Sequence, residues 1–234
     1  MSILGNHTRR DFLVNGAALI GMATLGGAAA VTGCAPKPAR AEVTASEELM
    51  LEHGALQRLL LIYEEMARRL RCCQDFPAPL LGGATTLIKR YVQDHHEKLE
   101  EEHVFPHFEQ AGKMVALVKI LRGQHADGRK LIETLQGQAV PLTAKNFVQR
   151  AQLEAMLLLF ARLYRPHAAR EDTGLFPALR AVMSPVEFED LGKRFVEQES
   201  ARGGQGHFDR IIQEIVEMEK ALGIHDLEQF SPKF

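Results

Sequence analysis

The chain has 234 residues, 46% of them hydrophobic and 25% charged, and a formal net charge of −2. That length fits one ordinary domain, alone or behind a processed leader. The near-neutral balance gives no electrostatic footprint for nucleic acid, near-average apolar content argues against disorder, and three cysteines cannot build a disulfide framework.

The first 45 residues differ from the rest. Thr8-Arg9-Arg10-Asp11-Phe12-Leu13 leads into twenty uncharged residues, Phe12 to Val31, rich in Ala and Gly. A short basic region before an apolar stretch has the physical form of an export signal. The paired arginines followed by Phe and Leu resemble the twin-arginine export motif. Val31-Thr32-Gly33-Cys34 resembles the lipobox of bacterial lipoproteins, in which the cysteine is lipidated and becomes the first mature residue. The expectation is a signal peptide over 1–33, lipidation at Cys34 and a tether over 34–45. The folded part would then lie outside the cytoplasm, on the periplasmic or outer face, held to a membrane by lipid. Two other readings stay open: an uncleaved anchor, since the run is just long enough to span a bilayer, and cleavage after Ala41 with Cys34 incidental.

From Ser46 onward the pattern is helical nearly throughout. Leu49, Leu56, Leu59, Leu60, Tyr63, Met66 and Leu70 form one apolar stripe, which predicts a first helix ending near Cys73, before Phe76-Pro77-Ala78-Pro79. A second helix is expected from about Leu80 to Glu109, a third from about Lys113 to Gln136, and a fourth from about Thr143 to Met183. The breaks between them are short, so successive helices should be antiparallel neighbours. Ser184-Pro185-Val186-Glu187 reads as a helix start with a capping box. It opens a fifth helix to about Ser200, and a sixth follows from about His207 to Leu222. The fold expected is all-α: an up-down-up-down four-helix bundle over 46–183, with a helical extension over 184–234.

An internal repeat coincides with the histidines, of which there are ten. His96-x3-Glu100-x4-Phe105-Pro106 recurs as His167-x3-Glu171-x4-Phe176-Pro177, each position displaced by 71 residues. His53 precedes His96 by 43 residues, and His125 precedes His167 by 42. Residues four apart on a helix differ by about 40° in direction, so each His shares a face with its Glu. Turned inward, these pairs with His53 and His125 bring four imidazoles and two carboxylates to one site. Such donors bind divalent first-row metals, with Fe and Mn the candidates on ligand type. Six ligands exceed what one ion with open positions needs, and carboxylates can bridge, so two ions about 3.5–4 Å apart fit better. The order His then Glu at i, i+4 differs from the Glu-x-x-His pairs of di-iron carboxylate bundles.

His95 is the alternative to His96, but its i+4 partner is apolar Leu99 and its repeat counterpart is Pro166. Glu101 and Asp172 match across the repeat, yet each stands about 140° round from its histidine. Taken singly, a His in a charge run such as Asp94-His95-His96-Glu97-Lys98 reads as a solvated face, and only the coincidence of the two halves argues otherwise. His103, His107 and His207 read as surface or structural residues, and Cys72-Cys73 as inert thiols. Tyr164, one turn before His167, reads as core packing or as a hydrogen-bond partner of a ligand.

Over roughly Ala45 to Met183 the chain resembles the hemerythrin-like (HHE cation-binding) family. The matching residues are Glu52-His53, His96-x3-Glu100 with Phe105-Pro106, Gln124-His125, and His167-x3-Glu171 with Phe176-Pro177. The resemblance implies a non-haem di-iron centre inside the bundle, with an open position for dioxygen or nitric oxide. It also exposes a departure: where oxygen-carrying members have a further His one turn after the third-helix ligand, this chain has Arg129. The function expected is an exported, membrane-tethered di-iron protein binding dioxygen, nitric oxide or peroxide for sensing, scavenging or defence. The alternatives are an oxidoreductase turning over peroxide or nitric oxide, and an iron-handling protein.

Overall fold

The computed structural model describes residues 43–138, 146–203 and 206–233. Arg9-Arg10, the apolar run and Cys34 lie outside the described residues. All the regular structure among the described residues is helical.

Helix α1 (Ala45–Arg71) starts at Thr44, whose hydroxyl accepts from the Glu47 amide while Glu47 accepts from the Thr44 amide, a closed capping box. Its stripe Leu49, Leu56, Leu59, Leu60, Tyr63, Met66 and Leu70 is buried as the spacing predicts. Each such side chain stabilises the fold by roughly 1.5–3 kcal/mol relative to exposure.

The second expected helix is broken into pieces. Helix α2 runs as an α segment (Ala78–Leu87), a π segment (Ile88–His96) and a second α segment (Glu97–His103). A separate short helix α3 (Phe105–Ala111) restarts after Val104. Pro106 explains the break, because proline has no N–H to continue the ladder but suits a first turn. Gly112 and Met114 then take left-handed conformations that turn the chain into α4 (Val115–Gly137). Helix α5 (Phe147–Arg170) is capped by Asn146 and passes into a second π segment, Glu171–Leu175. Among the described residues the fourth expected helix thus starts at Phe147 and loosens before Met183. Helix α6 (Pro185–Gly203) keeps the expected capping box between Ser184 and Glu187, and α7 (His207–Leu222) ends at left-handed Gly223.

Helices α1, α2, α4 and α5 close a four-helix ring, each packed on two neighbours, with the α1–α5 contact the longest. Helix α6 lies on α1, and α7 packs on α1, α2 and α6. Arg58 of α1 donates from Nε to Glu219 (2.8 Å), and Arg69 donates to the Leu222 carbonyl (2.7 Å), fastening α7 to the bundle. No helix among the described residues is long and apolar enough to cross a membrane.

The apolar interior is divided. One cluster runs from Ala55 and Leu56 through Tyr63, Leu87, Tyr91 and Phe160 to Ile215. The other gathers Leu49, Leu99, Phe105, Phe108, Leu175, Phe176 and Phe195. Between them, at the level of His53, His96, His125 and His167, the core is polar.

One close approach is set by a glycine. A Cβ built on Gly128 of α4 would fall 2.0 Å from the Tyr164 hydroxyl, whereas one on Gly123 of the same helix meets nothing within 4 Å. Gly128→Ala is therefore expected to displace Tyr164 and destabilise by about 1–3 kcal/mol. Gly123→Ala is expected to stabilise by up to about 1 kcal/mol through helix propensity. Denaturant unfolding of the two variants should give midpoint shifts of opposite sign, and two shifts of the same sign would contradict this packing.

Candidate metal centre

Each half of the repeat delivers a His from one helix and a His-Glu pair from the next. Helix α1 carries Glu52-His53, α2 carries His95-His96 and Glu100-Glu101, α4 carries Gln124-His125, and α5 with its π turn carries His167 and Glu171-Asp172. Both His-x3-Glu pairs sit at π segments: His96 ends one and Glu171 opens the other. A π turn adds a residue to the local ring, and such turns are frequent at functional positions.

The six expected residues converge. The Glu100 oxygens lie 3.5 Å from His96 Nε2 and 3.4 Å from His125 Nε2, so one carboxylate spans two imidazoles from different halves. Glu171 Oε2 lies 3.1 Å from His167 Nε2 and 3.4 Å from His53 Nε2, which spans the halves a second time. Donor atoms of Glu100, His125, His167 and Glu171 all fall within 4.8 Å of one another, and so do those of His53, His96 and Glu100. All six residues are buried.

The outer ring nitrogens are all bound. His53 Nδ1 donates to Asp172 (2.7 Å), His96 Nδ1 to Glu52 (2.8 Å), His125 Nδ1 to Glu101 (2.9 Å) and His167 Nδ1 to Gln124 (2.9 Å). Because those partners are oxygen acceptors, a neutral ring at each position carries its proton on Nδ1 and turns the Nε2 lone pair inward. His125 Nε2 and His167 Nε2 face each other at 3.1 Å. Two lone pairs cannot bond each other, but a cation can bond both.

The inner atoms lack hydrogen-bond partners: His53 Nε2, His96 Nε2 and both oxygens of Glu100 and of Glu171. Buried polar atoms without partners are costly, and their gathering in one place fits a metal that supplies the missing bonds.

Burial and charge pull the groups of the centre in different directions. Burial, then the negative charge of Glu171, pushes the Glu100 carboxyl well above its ordinary range. Burial would raise Glu171 too, but His167 and His53 outweigh it and hold that carboxyl low. Burial pushes His125 down to about 4, so its imidazole is neutral and able to ligate. His53 is raised to about 9, because Asp172 and Glu171 outweigh the effect of burial.

Aromatic plates close the centre. Phe105 stacks on His125 (5.6 Å between ring centroids) and Phe176 on His53 (5.4 Å). The Phe-Pro of each repeat half thus seats its ring under the first His of the other half.

The remaining expected residues stand outside the inner set. Tyr164 donates to Glu97 Oε1 at 2.6 Å, so its hydroxyl partner is that glutamate, while its ring lies 5.5 Å from His167. Arg129 donates to Glu97 (2.7 Å) and Glu101 (2.8 Å), which hold its guanidinium at the bundle surface beside the centre. His95 points its Nε2 at Glu52 (3.1 Å). His103 is half-buried against Gln198, and Cys72 and Cys73 are exposed free thiols.

Sequence reasoning assigned no role to Glu52, Gln124 or Glu97. The first two had a signal: each immediately precedes the histidine of its half. Glu97 had none, since its counterpart across the repeat is Ala168.

The profile of the Hemerythrin HHE cation binding domain matches residues 44–179. Uncharacterized proteins of Mycobacterium bovis and Mycobacterium tuberculosis are 40% identical over 234 residues, which covers 96% of this chain and 91% of each relative. No solved structure matches.

Arg129 gives a test of the surrounding network. Glu97 is 1% exposed and burial raises its carboxyl to about 8, while Arg129 is 35% exposed. Removing the guanidinium leaves Glu97 with Tyr164 and without that cation. Arg129→Ala is expected to destabilise by about 0.5–1.5 kcal/mol, the loss of a hydrogen bond rather than of a buried ion pair, because a carboxyl raised to about 8 is largely protonated near neutral pH. An unchanged denaturation midpoint would show that Glu97 does not depend on Arg129.

Proposed function

The chain belongs to the hemerythrin HHE cation-binding family, and from that premise we propose that it holds two iron ions in the bundle core and binds a small diatomic or peroxide ligand there, for sensing, scavenging or defence. The observation that carries the reading is the set of inward atoms without partners: His53 Nε2, His96 Nε2 and the four oxygens of Glu100 and Glu171. Two ions rather than one is supported by the way Glu100 and Glu171 each reach imidazoles of both halves.

His53, His96 and Glu100 would hold one ion, and His125, His167 and Glu171 the other, with the two carboxylates shared. Iron bound there supplies Lewis acidity and one-electron redox chemistry. The chain's own part is positioning and exclusion. Asp172, Glu52, Glu101 and Gln124 fix the imidazole tautomers and ring angles, as outer partners of ligating histidines do. Phe105 and Phe176 keep water from the histidine faces they cover. Arg129, in the place of the further imidazole of oxygen-carrying members, cannot ligate. That supports an open coordination position and argues against lasting oxygen carriage.

Metal analysis should return about two iron ions per chain, and chelation should lower the melting temperature clearly, because the six donors then lose their partner. His167→Ala should reduce metal content and melting temperature together. Absorption spectra under air, nitric oxide and peroxide should change reversibly; sustained consumption of peroxide or nitric oxide would instead identify an oxidoreductase. An identical melting curve after complete chelation would contradict a buried centre.

We also propose export and lipid tethering, supported by Arg9-Arg10 ahead of the apolar run and by Val31-Thr32-Gly33-Cys34. Mass spectrometry of membrane-extracted protein should find a mature chain starting at a lipidated Cys34. A soluble product starting at Glu42 would contradict the lipid anchor and leave export standing.

A further inference from the structure

Outside the six-residue centre lies a second group of buried metal-type donors, and it reaches beyond the residues matched by the family profile. His95, next to His96 in α2, is 1% exposed and turns its Nε2 away from the centre. That nitrogen lies 3.1 Å from Oε1 of Glu52 on α1 and 3.5 Å from Oε2 of Glu199 on α6. The three donor atoms fall within 4.8 Å of one another. We propose that Glu52, His95 and Glu199 form an accessory site for a single divalent first-row metal ion, separate from the bundle centre and completed by the C-terminal extension.

Two observations carry it. The first is spacing. With metal–ligand bonds of about 2.0–2.2 Å, donors around a tetrahedral or octahedral ion stand about 2.9–3.6 Å apart, and His95 Nε2 keeps such separations from both carboxylates. The second is valence. One imidazole nitrogen with a single proton can donate to one carboxylate, not to two at once. An ion bonded to that nitrogen and to both oxygens uses all three donors.

The surroundings suit such an ion. The Tyr91 ring lies 5.6 Å from the His95 ring and 6.2 Å from the His207 ring, and walls the group from the apolar cluster. Half-buried His207, which opens α7, feels the charges of both Glu199 and His95. Three protein ligands leave room for water or a small anion in a fourth position. The accessory ion would also touch the main centre through one side chain, because Glu52 offers Oε1 to His95 and Oε2 to His96 Nδ1.

Calorimetric titration of metal-free, full-length protein with Zn2+ tests the site. Wild type should bind one more equivalent than Glu199→Gln, or bind that equivalent at least about 10–100-fold more tightly, a ligand being worth no less than an outer partner. His167→Ala should lose Zn2+ at the main centre and retain the Glu199-dependent equivalent. Equal equivalents and affinities in wild type and Glu199→Gln overturn the accessory site, while loss confined to His167→Ala speaks only for the main centre. Anomalous scattering from Zn2+-soaked wild-type crystals needs no variant. A peak bonded to His95 Nε2 is expected, and its absence in crystals whose main centre is filled overturns the proposal.

Discussion

Four imidazoles and two carboxylates are packed into one layer of a helical core, and the rest of the bundle answers to that layer. An interior of this kind is ordinarily apolar, because each buried polar atom must recover in the fold the bonds it had in water. Here the recovery is complete on the outer side and largely missing on the inner side. Every Nδ1 has an oxygen acceptor from another helix, while the Nε2 atoms and the oxygens of Glu100 and Glu171 face one another. The apolar side chains are displaced above and below: Leu56, Tyr63 and Phe160 in one cluster, Phe105, Phe108 and Phe176 in the other. Even the backbone yields, since π turns occur where the His-Glu pairs must meet across the bundle.

The two halves are interlocked rather than merely adjacent. His53 takes its outer acceptor (Asp172) and its aromatic plate (Phe176) from the second half, and His125 takes Glu101 and Phe105 from the first. His96 and His167, by contrast, take Glu52 and Gln124 from within their own halves. Neither half can therefore form a complete set of imidazole supports alone. That dependence ties the site to the closure of the whole bundle, so the energy of folding and the geometry of the centre are one problem.

What was legible in the sequence was whatever obeys a local period. His96 with Glu100, and His167 with Glu171, share helix faces by their four-residue spacing, and the shift of 71 residues marks the two-fold plan. The capping box at Ser184 is equally local. The outer acceptors are legible only once the bundle is closed: Asp172 meets His53 across 119 positions and Glu101 meets His125 across 24. Phase reasoning placed Glu101 and Asp172 off the ligand face, and that same displacement carries them to the Nδ1 atoms of neighbouring helices. The π turns left no trace either, because a 3.6-residue pattern reads straight through them. His95 was obscured for a similar reason, since its partners are Glu52 on α1 and Glu199 on α6 rather than anything one turn away.

The repeat also fails in a chemically directed way. On the first side, His53 and His96 are both backed by carboxylates, Asp172 and Glu52. On the second, His167 is backed by the neutral amide of Gln124, and the carboxylate behind His125 is Glu101, whose charge is shared with Arg129. A carboxylate accepting an imidazole proton raises the basicity of the other ring nitrogen more than an amide does. The outer support of His53 and His96 is therefore anionic where that of His167 is neutral, although the six inner residues are the same in kind. Under the proposed two-ion reading, the carboxylates behind His53 and His96 would favour positive charge on the first side. The inequality comes entirely from residues that touch no metal: Glu52 against Gln124, and Arg129 on Glu101.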